Sequence, residues 1–366
     1  MIKIAELGIG IIVVASAIIF AGCSKSSDNG VAPTNAQNPQ PTKAEGAPQA
    51  EPTAAPTPAS TQAPTAIPSP TPTQEPISSG SSMVAISNAY MEGIKITEHC
   101  PEEAYETRAD VAYGTVVHKT YDSKTTGLTR GVNIVLPPNY DESKKYPVLY
   151  LLHGIFGNEY TFTDNSNKVV EISGNLAAEG KAREMIIVFP NMFAASDPNQ
   201  QPGFNAEGIA PYDNFINDLV NDLMPFIEEN YSVLKGRENQ AIAGFSMGGR
   251  EALFIGFTRP DLFGYVLGIA PAPGLTPGKD WAMTHPGQMQ EDELRIKHSE
   301  DTPYLIMVCS GSKDSVVGTF PKSYHDILER NEVNHIWYEV PGADHDANAI
   351  RSGLYNFIPS IFKAEN

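Results

Sequence analysis

The stretch Gln240-Ala-Ile-Ala-Gly-Phe-Ser-Met-Gly-Gly-Arg250 leaves the backbone few choices. An apolar, strand-type run enters it, and the helix-forming run Glu251-Ala-Leu-Phe-Ile255 leaves it. Between them, Gly244 and Gly248 stand two before and two after Ser246. A sharp strand-to-helix turn of this kind, a nucleophile elbow, lifts a serine hydroxyl above a sheet edge. Small flanking residues let the backbone pass close by. A bare G-x-S-x-G also occurs in ordinary Gly-Ser loops, so the flanks and the partners elsewhere in the chain must decide.

Apolar runs and turn signals alternate on both sides of this turn, from about residue 95 to residue 366. Strands are expected at Thr115–Tyr121, Gly131–Leu136, Tyr146–Leu152, Met185–Phe189, the run into the elbow, Tyr265–Ala270, Tyr304–Cys309 and His335–Val340. The Tyr146–Leu152 run is almost wholly apolar, as a central parallel strand should be. Helices are expected at Val169–Glu179, Tyr212–Tyr231 (Phe215, Leu219, Leu223 and Phe226 on one face), after the elbow, at Lys322–Glu329 and at Ala349–Phe362. Strands alternating with helices predict a doubly wound, mostly parallel α/β sheet with helices on both faces. Functional groups belong at the carboxyl ends of its strands.

A serine hydroxyl needs a base to take its proton, and the base needs an orienting carboxylate. Five histidines follow Ser246. His285 and His298 lie in a polar insertion, His325 inside a helix, and His335 at a strand start. His345, in Pro341-Gly-Ala-Asp-His-Asp346, lies in a loop just past a strand end and is the candidate base. The acid belongs after the preceding strand, where the chain reads Cys309-Ser-Gly-Ser-Lys-Asp314. Asp301 precedes its strand, and Asp344 and Asp346 flank the histidine too closely to reach its ring, so Asp314 is the candidate acid. A tetrahedral oxyanion needs fixed N–H donors. The Met247 N–H, directly after the serine, is one. The loop His153-Gly-Ile-Phe-Gly157 offers the other, at Ile155 with Gly154 as the rival. His153 reads as a structural histidine shaping that turn.

The first eighty residues are of another kind. Residues 1–22 hold Lys3, the apolar run Leu7–Phe20 and then Ala21-Gly22-Cys23, a secretory signal ending in a lipobox-like motif with Cys23 as the lipidated residue. An uncleaved anchor or cleavage elsewhere are the alternatives, and each still exports the chain. Residues 23–80 carry twelve prolines between Pro33 and Pro76 and almost no large apolar side chains. Such a stretch cannot bury a core and is expected to be an extended linker. The net charge is −18, of which −2 lies in residues 1–80, so about −16 belongs to the domain. That acidity argues against nucleic acid and polyanionic substrates. Cys309 reads as a buried thiol and pairs poorly with Cys100 in its polar segment. No Cys/His spacing of metal type is present, and no cofactor is expected.

The domain resembles the family 1 carbohydrate esterases of the α/β-hydrolase superfamily, and most of all bacterial feruloyl esterase domains. The resemblance rests on Tyr146-Pro-Val-Leu-Tyr-Leu-Leu-His-Gly154, Ala241-Ile-Ala-Gly-Phe-Ser-Met-Gly-Gly249, Gly311-Ser-Lys-Asp314 and His345-Asp346. Glu103–Arg108 and Gly353–Phe357 are similar to that family's domain ends. It implies Ser246, Asp314 and His345 as nucleophile, acid and base. It also implies removal of feruloyl or acetyl groups from xylan or xylo-oligosaccharides. Two departures touch the acyl site: Asp344 where the family often has glycine, and Ala347–Ile350 where it often has an aromatic. Phe156, Phe162, Asn191, Tyr212 and Phe245 are candidate pocket residues. Two other readings compete: a triad acting on other esters or transferring acyl groups, and a silent hydrolase-fold module that only binds polysaccharide.

Overall fold

Eight runs of alternating or wholly apolar residues pair into one sheet, in the order β1-β2-β4-β3-β5-β6-β7-β8. They are β1 (Thr115–Ser123), β2 (Leu128–Leu136), β3 (Val148–Leu152), β4 (Ile186–Pro190), β5 (Gln240–Phe245), β6 (Tyr265–Ile269), β7 (Leu305–Gly311) and β8 (Ile336–Val340). The computed structural model describes residues 82–163, 165–278 and 284–364. The expected signal, linker and Cys23 lie outside them. β2 runs antiparallel to β1 and β4, and the strands from β4 through β3 to β8 are parallel. This is the expected α/β-hydrolase arrangement.

The helices are α1 (Met83–Glu92), α2 (Glu102–Tyr105), α3 (Val169–Ala178), α4 (Ala206–Asp213), α5 (Phe215–Asp218), α6 (Met224–Asn230), α7 (Met247–Thr258), α8 (Phe320–Arg330) and α9 (Ala347–Phe357). All five residues of β3 are buried. Val148, Tyr150 and Leu152 enter one core layer with α4 to α8. Leu149 and Leu151 enter the other, with α3 and α9. Each such side chain contributes about 1.5–3 kcal/mol on burial, so the period-2 alternation of a two-faced sheet dominates the energetics.

Two elements depart from expectation. Regular structure is present before residue 95: Ser82 caps α1, Met91 is buried, and the Tyr90 hydroxyl donates to the Ser360 carbonyl at 2.7 Å. Only Ser87 and Met91 of α1 are buried, too few for a periodic signal. The helix expected at Tyr212–Tyr231 starts earlier and is broken by a π-helical turn over Leu219–Leu223. Pro225 has no N–H to continue regular pairing there. The wider turn brings Ile227 rather than Phe226 into line with Phe215, Leu219 and Leu223, all four of them fully buried. Both Cys100 and Cys309 are free thiols, and burial pushes Cys309 up to about 12.

Candidate active site

Ser246 sits where β5 ends and α7 begins, with φ 57° and ψ −117°, a backbone conformation that a residue with a Cβ adopts only under strain. The surroundings hold it there. Its N–H donates to the Ile269 carbonyl at 2.9 Å, and its carbonyl accepts from Ala272 at 2.9 Å and Arg250 at 3.0 Å. The two flanking glycines are required by contact. A Cβ on Gly244 would collide with the Gly248 carbonyl, and one on Gly248 with the Leu152 carbonyl.

Asp314 follows β7 and His345 follows β8, two and three strands from β5 at the same end of the sheet. His345 Nδ1 lies 2.8 Å from Asp314 Oδ2. The other carboxylate oxygen accepts the N–H groups of Val316 at 3.0 Å and Val317 at 2.9 Å, which fixes its plane. Burial pushes the Asp314 carboxyl up, but the bond from His345 and those backbone donors outweigh it and hold it below the usual range. The His345 ring packs on Phe245, the residue before the serine, with centroids 4.4 Å apart. The structure thus pairs Asp314 with His345 and sets the imidazole against Phe245, the neighbour of Ser246.

The rival acids have other work. Asp346 caps α9, accepting from Asn348 and Ala349. Asp344 joins the acid loop to the histidine loop: one oxygen accepts the Ser315 N–H at 2.7 Å and the His345 N–H at 2.8 Å.

In the loop after β3, Phe156 N–H donates to the Tyr212 hydroxyl at 3.1 Å and Gly157 N–H to the Gly154 carbonyl at 3.1 Å. Gly154 and Ile155 are the remaining candidates for an oxyanion donor, beside Met247 at the first position of α7. The first N–H groups of a helix have no partner within it. His153 is buried and structural. Its Nδ1–H donates to the Gly154 carbonyl at 2.7 Å, and its Nε2 accepts from Met192 N–H at 2.9 Å. Burial lowers it to about 4, so it stays neutral.

The pocket residues divide. Phe156 is 58 % exposed, with positive φ, edge-on to Phe204, itself 69 % exposed. Phe245 walls the imidazole. Asn191 is half-buried in the loop after β4, its side chain accepting from Phe193 N–H at 3.0 Å. Phe162 and Tyr212 are not on a rim. Phe162 packs on Phe189 of β4 in the core, in the layer that also holds Leu149 and Leu151 of β3, and Tyr212 is fully buried with its hydroxyl accepting from the Phe156 N–H.

Sequence reasoning missed the supports of this site. Arg130 of β2 donates to the Asn191 and Phe193 carbonyls and pairs with buried Asp218 at 3.2 Å, fastening the loop after β4. His285, expected in a polar insertion, is buried, 2.9 Å from Asp213. Asp213 pairs at 2.7 Å with Arg250 of the elbow helix, which also holds Glu251. Burial pushes the Glu251 carboxyl up. The Ser-x-x-x-Arg spacing was the one available sign, and nothing local pointed to its partners.

The family described as "Putative esterase" matches residues 123–346. A structure of a CE1 ferulic acid esterase from Anaeromyces mucronatus in complex with ferulic acid is 49 % identical. It superposes with a TM-score of 0.70, over 75 % of this chain and 100 % of that one. An endo-1,4-beta-xylanase/feruloyl esterase of Xylanibacter ruminicola is 29 % identical over 222 residues, 59 % of this chain and 27 % of that protein. Endo-1,4-beta-xylanase Y of Acetivibrio thermocellus is 28 % identical over 273 residues, 68 % of this chain and 23 % of that one. The chain therefore spans about a quarter of the length of these two xylanases.

Proposed function

The chain belongs to this esterase family and, within it, to the family 1 carbohydrate esterases, and from that premise we propose that it is a serine hydrolase releasing hydroxycinnamoyl groups from xylan-derived esters. The observation that carries the proposal is the 2.8 Å Asp314–His345 pair packed against Phe245, beside a serine held on a strained elbow. His345 takes the proton of Ser246 as the hydroxyl attacks the ester carbonyl. Asp314 accepts Nδ1–H and so presents Nε2 as the base. The N–H groups of Met247 and Ile155 receive the oxyanion. His345 then protonates the departing sugar oxygen, and water releases the acid by the same path in reverse.

The relative bound to ferulic acid supports the acyl class, and exposed Phe156 and Phe204 supply apolar surface beside the oxyanion loop. Feruloyl is preferred over acetyl on this reading. The apolar run Leu7–Phe20 followed by Ala21-Gly22-Cys23 supports export and lipid attachment at Cys23, which would hold the enzyme at a membrane surface. A Cys23→Ala chain should then be recovered in the soluble fraction.

The test is release of ferulate and acetate from native arabinoxylan by wild type and Ser246→Ala. Wild type should release mainly ferulate. Ser246→Ala should lose at least about 10⁴-fold in kcat while remaining folded. Retained turnover in the variant would sink the assignment.

A further inference from the structure

The helix α8 ends, and β8 begins, around a cluster that plays no part in the proposed chemistry. His325 and Glu329, one turn apart on α8, face His335 just before β8. One donor atom from each lies within 4.8 Å of the others. His335 Nδ1 is 2.7 Å from the Val333 carbonyl, so that nitrogen carries the proton and donates it. The lone pair of His335 Nε2 is then free to accept, 2.8 Å from His325 Nδ1. The His325 ring is fixed in its plane by stacking on Trp337, with centroids 5.3 Å apart and planes 10° off parallel. Glu92 of α1, Glu329 and Glu332 line the same surface depression as His335, which gives it a negative field.

We propose that His325, Glu329 and His335 form a binding site for a zinc-class divalent cation that clips α8 to the edge strand β8. Two imidazoles and a carboxylate are borderline ligands, suited to zinc and poorly suited to magnesium or calcium. The two nitrogens face each other 2.8 Å apart, and a widening of about half an ångström gives the roughly 3.3 Å that separates two ligands each about 2.0–2.1 Å from one tetrahedral ion. The ion takes the place of the proton between the rings: His325 gives up its Nδ1 proton and carries one on Nε2 instead, so both imidazoles bind as neutral ligands, and water takes the fourth position. The His335–Val333 bond is the outer contact that orients a metal-bound imidazole. His335 stands at the start of β8 and His345 beyond its end, so the ion is remote from the ester chemistry. The strand it secures has one neighbour, β7, and its first four residues are only partly buried or exposed.

The experiment titrates the chelator-stripped full chain with zinc chloride by calorimetry and follows Tm, with magnesium chloride as control. Saturable binding of a single ion is expected, raising Tm by roughly 5 °C at about 100-fold excess over Kd; magnesium should do nothing. Glu329→Gln, an exposed change that leaves the fold alone, should weaken zinc about 10-fold. The His325→Asn, His335→Asn double variant should abolish saturable binding. Both variants should keep the turnover of the stripped wild type. Absence of saturable binding in wild type would overturn the site, as would unchanged affinity in the variants, which would move the ion to another centre such as His345.

Discussion

Asp344 binds the loop carrying the acid to the loop carrying the histidine, through Ser315 and the His345 backbone. Its removal should loosen the imidazole without touching substrate. Asp344→Ala is expected to lower kcat roughly tenfold with little change in KM, because small displacements of a base are costly in rate. Steady-state kinetics on methyl ferulate checks this, and a change confined to KM would contradict it. Asp314→Asn is a harsher test. The amide favours the wrong imidazole tautomer, and kcat should fall by about 10⁴. Because Asp314 is held below the usual carboxylate range, it stays ionised through that range and above it. An acid limb in the rate within or above that range therefore belongs to another group. At this scale the pairing of Asp314 with His345 was legible, since each follows a strand in a fixed order. The role of Asp344 was not, because its partner Ser315 is 29 residues away.

The elbow works as an element because β3, β5 and α7 touch backbone to backbone. Gly248→Ala should cost more than about 3 kcal/mol, or prevent folding, since neither the Leu152 carbonyl nor the helix start can move aside. Asp346→Ala, at the N-cap of α9, should cost only about 1 kcal/mol. Urea denaturation of the pair measures the contrast, and equal costs would refute it. The eight strands were readable from their apolar runs, whereas α1, with two buried residues, offered no pattern to read. The π-helical turn that rotates Ile227 inward needs Pro225 and the sheet together. Burial of Phe162 likewise depends on where its loop lands. The pair His325 and His335 looked unrelated in sequence because one belongs to a helix and the other to a strand start.

For the whole molecule, the acid side of the stability curve should carry the mark of His153. Its folded value of about 4 lies below the unfolded value of about 6.5. The unfolded chain binds more protons between those values, so the contribution is complete above about pH 6.5. It fades as pH falls towards 4, by up to about 3 kcal/mol. Urea midpoints at several pH values should show this slope in wild type and less of it in His153→Asn; an equal slope would contradict the assignment. The buried pairs Arg250–Asp213–His285 and Arg130–Asp218 tie the elbow helix and the loop after β4 into the body. Acidic composition gave no hint of them, since they are made between distant segments.

The central claim is that Ser246 carries the acyl group through the reaction. Rapid acid quench of the enzyme during turnover of a feruloylated xylo-oligosaccharide, followed by peptide mass spectrometry, tests it directly. A feruloyl adduct on Ser246, absent from Ser246→Ala, is the expected result; an adduct on a different residue would contradict the account.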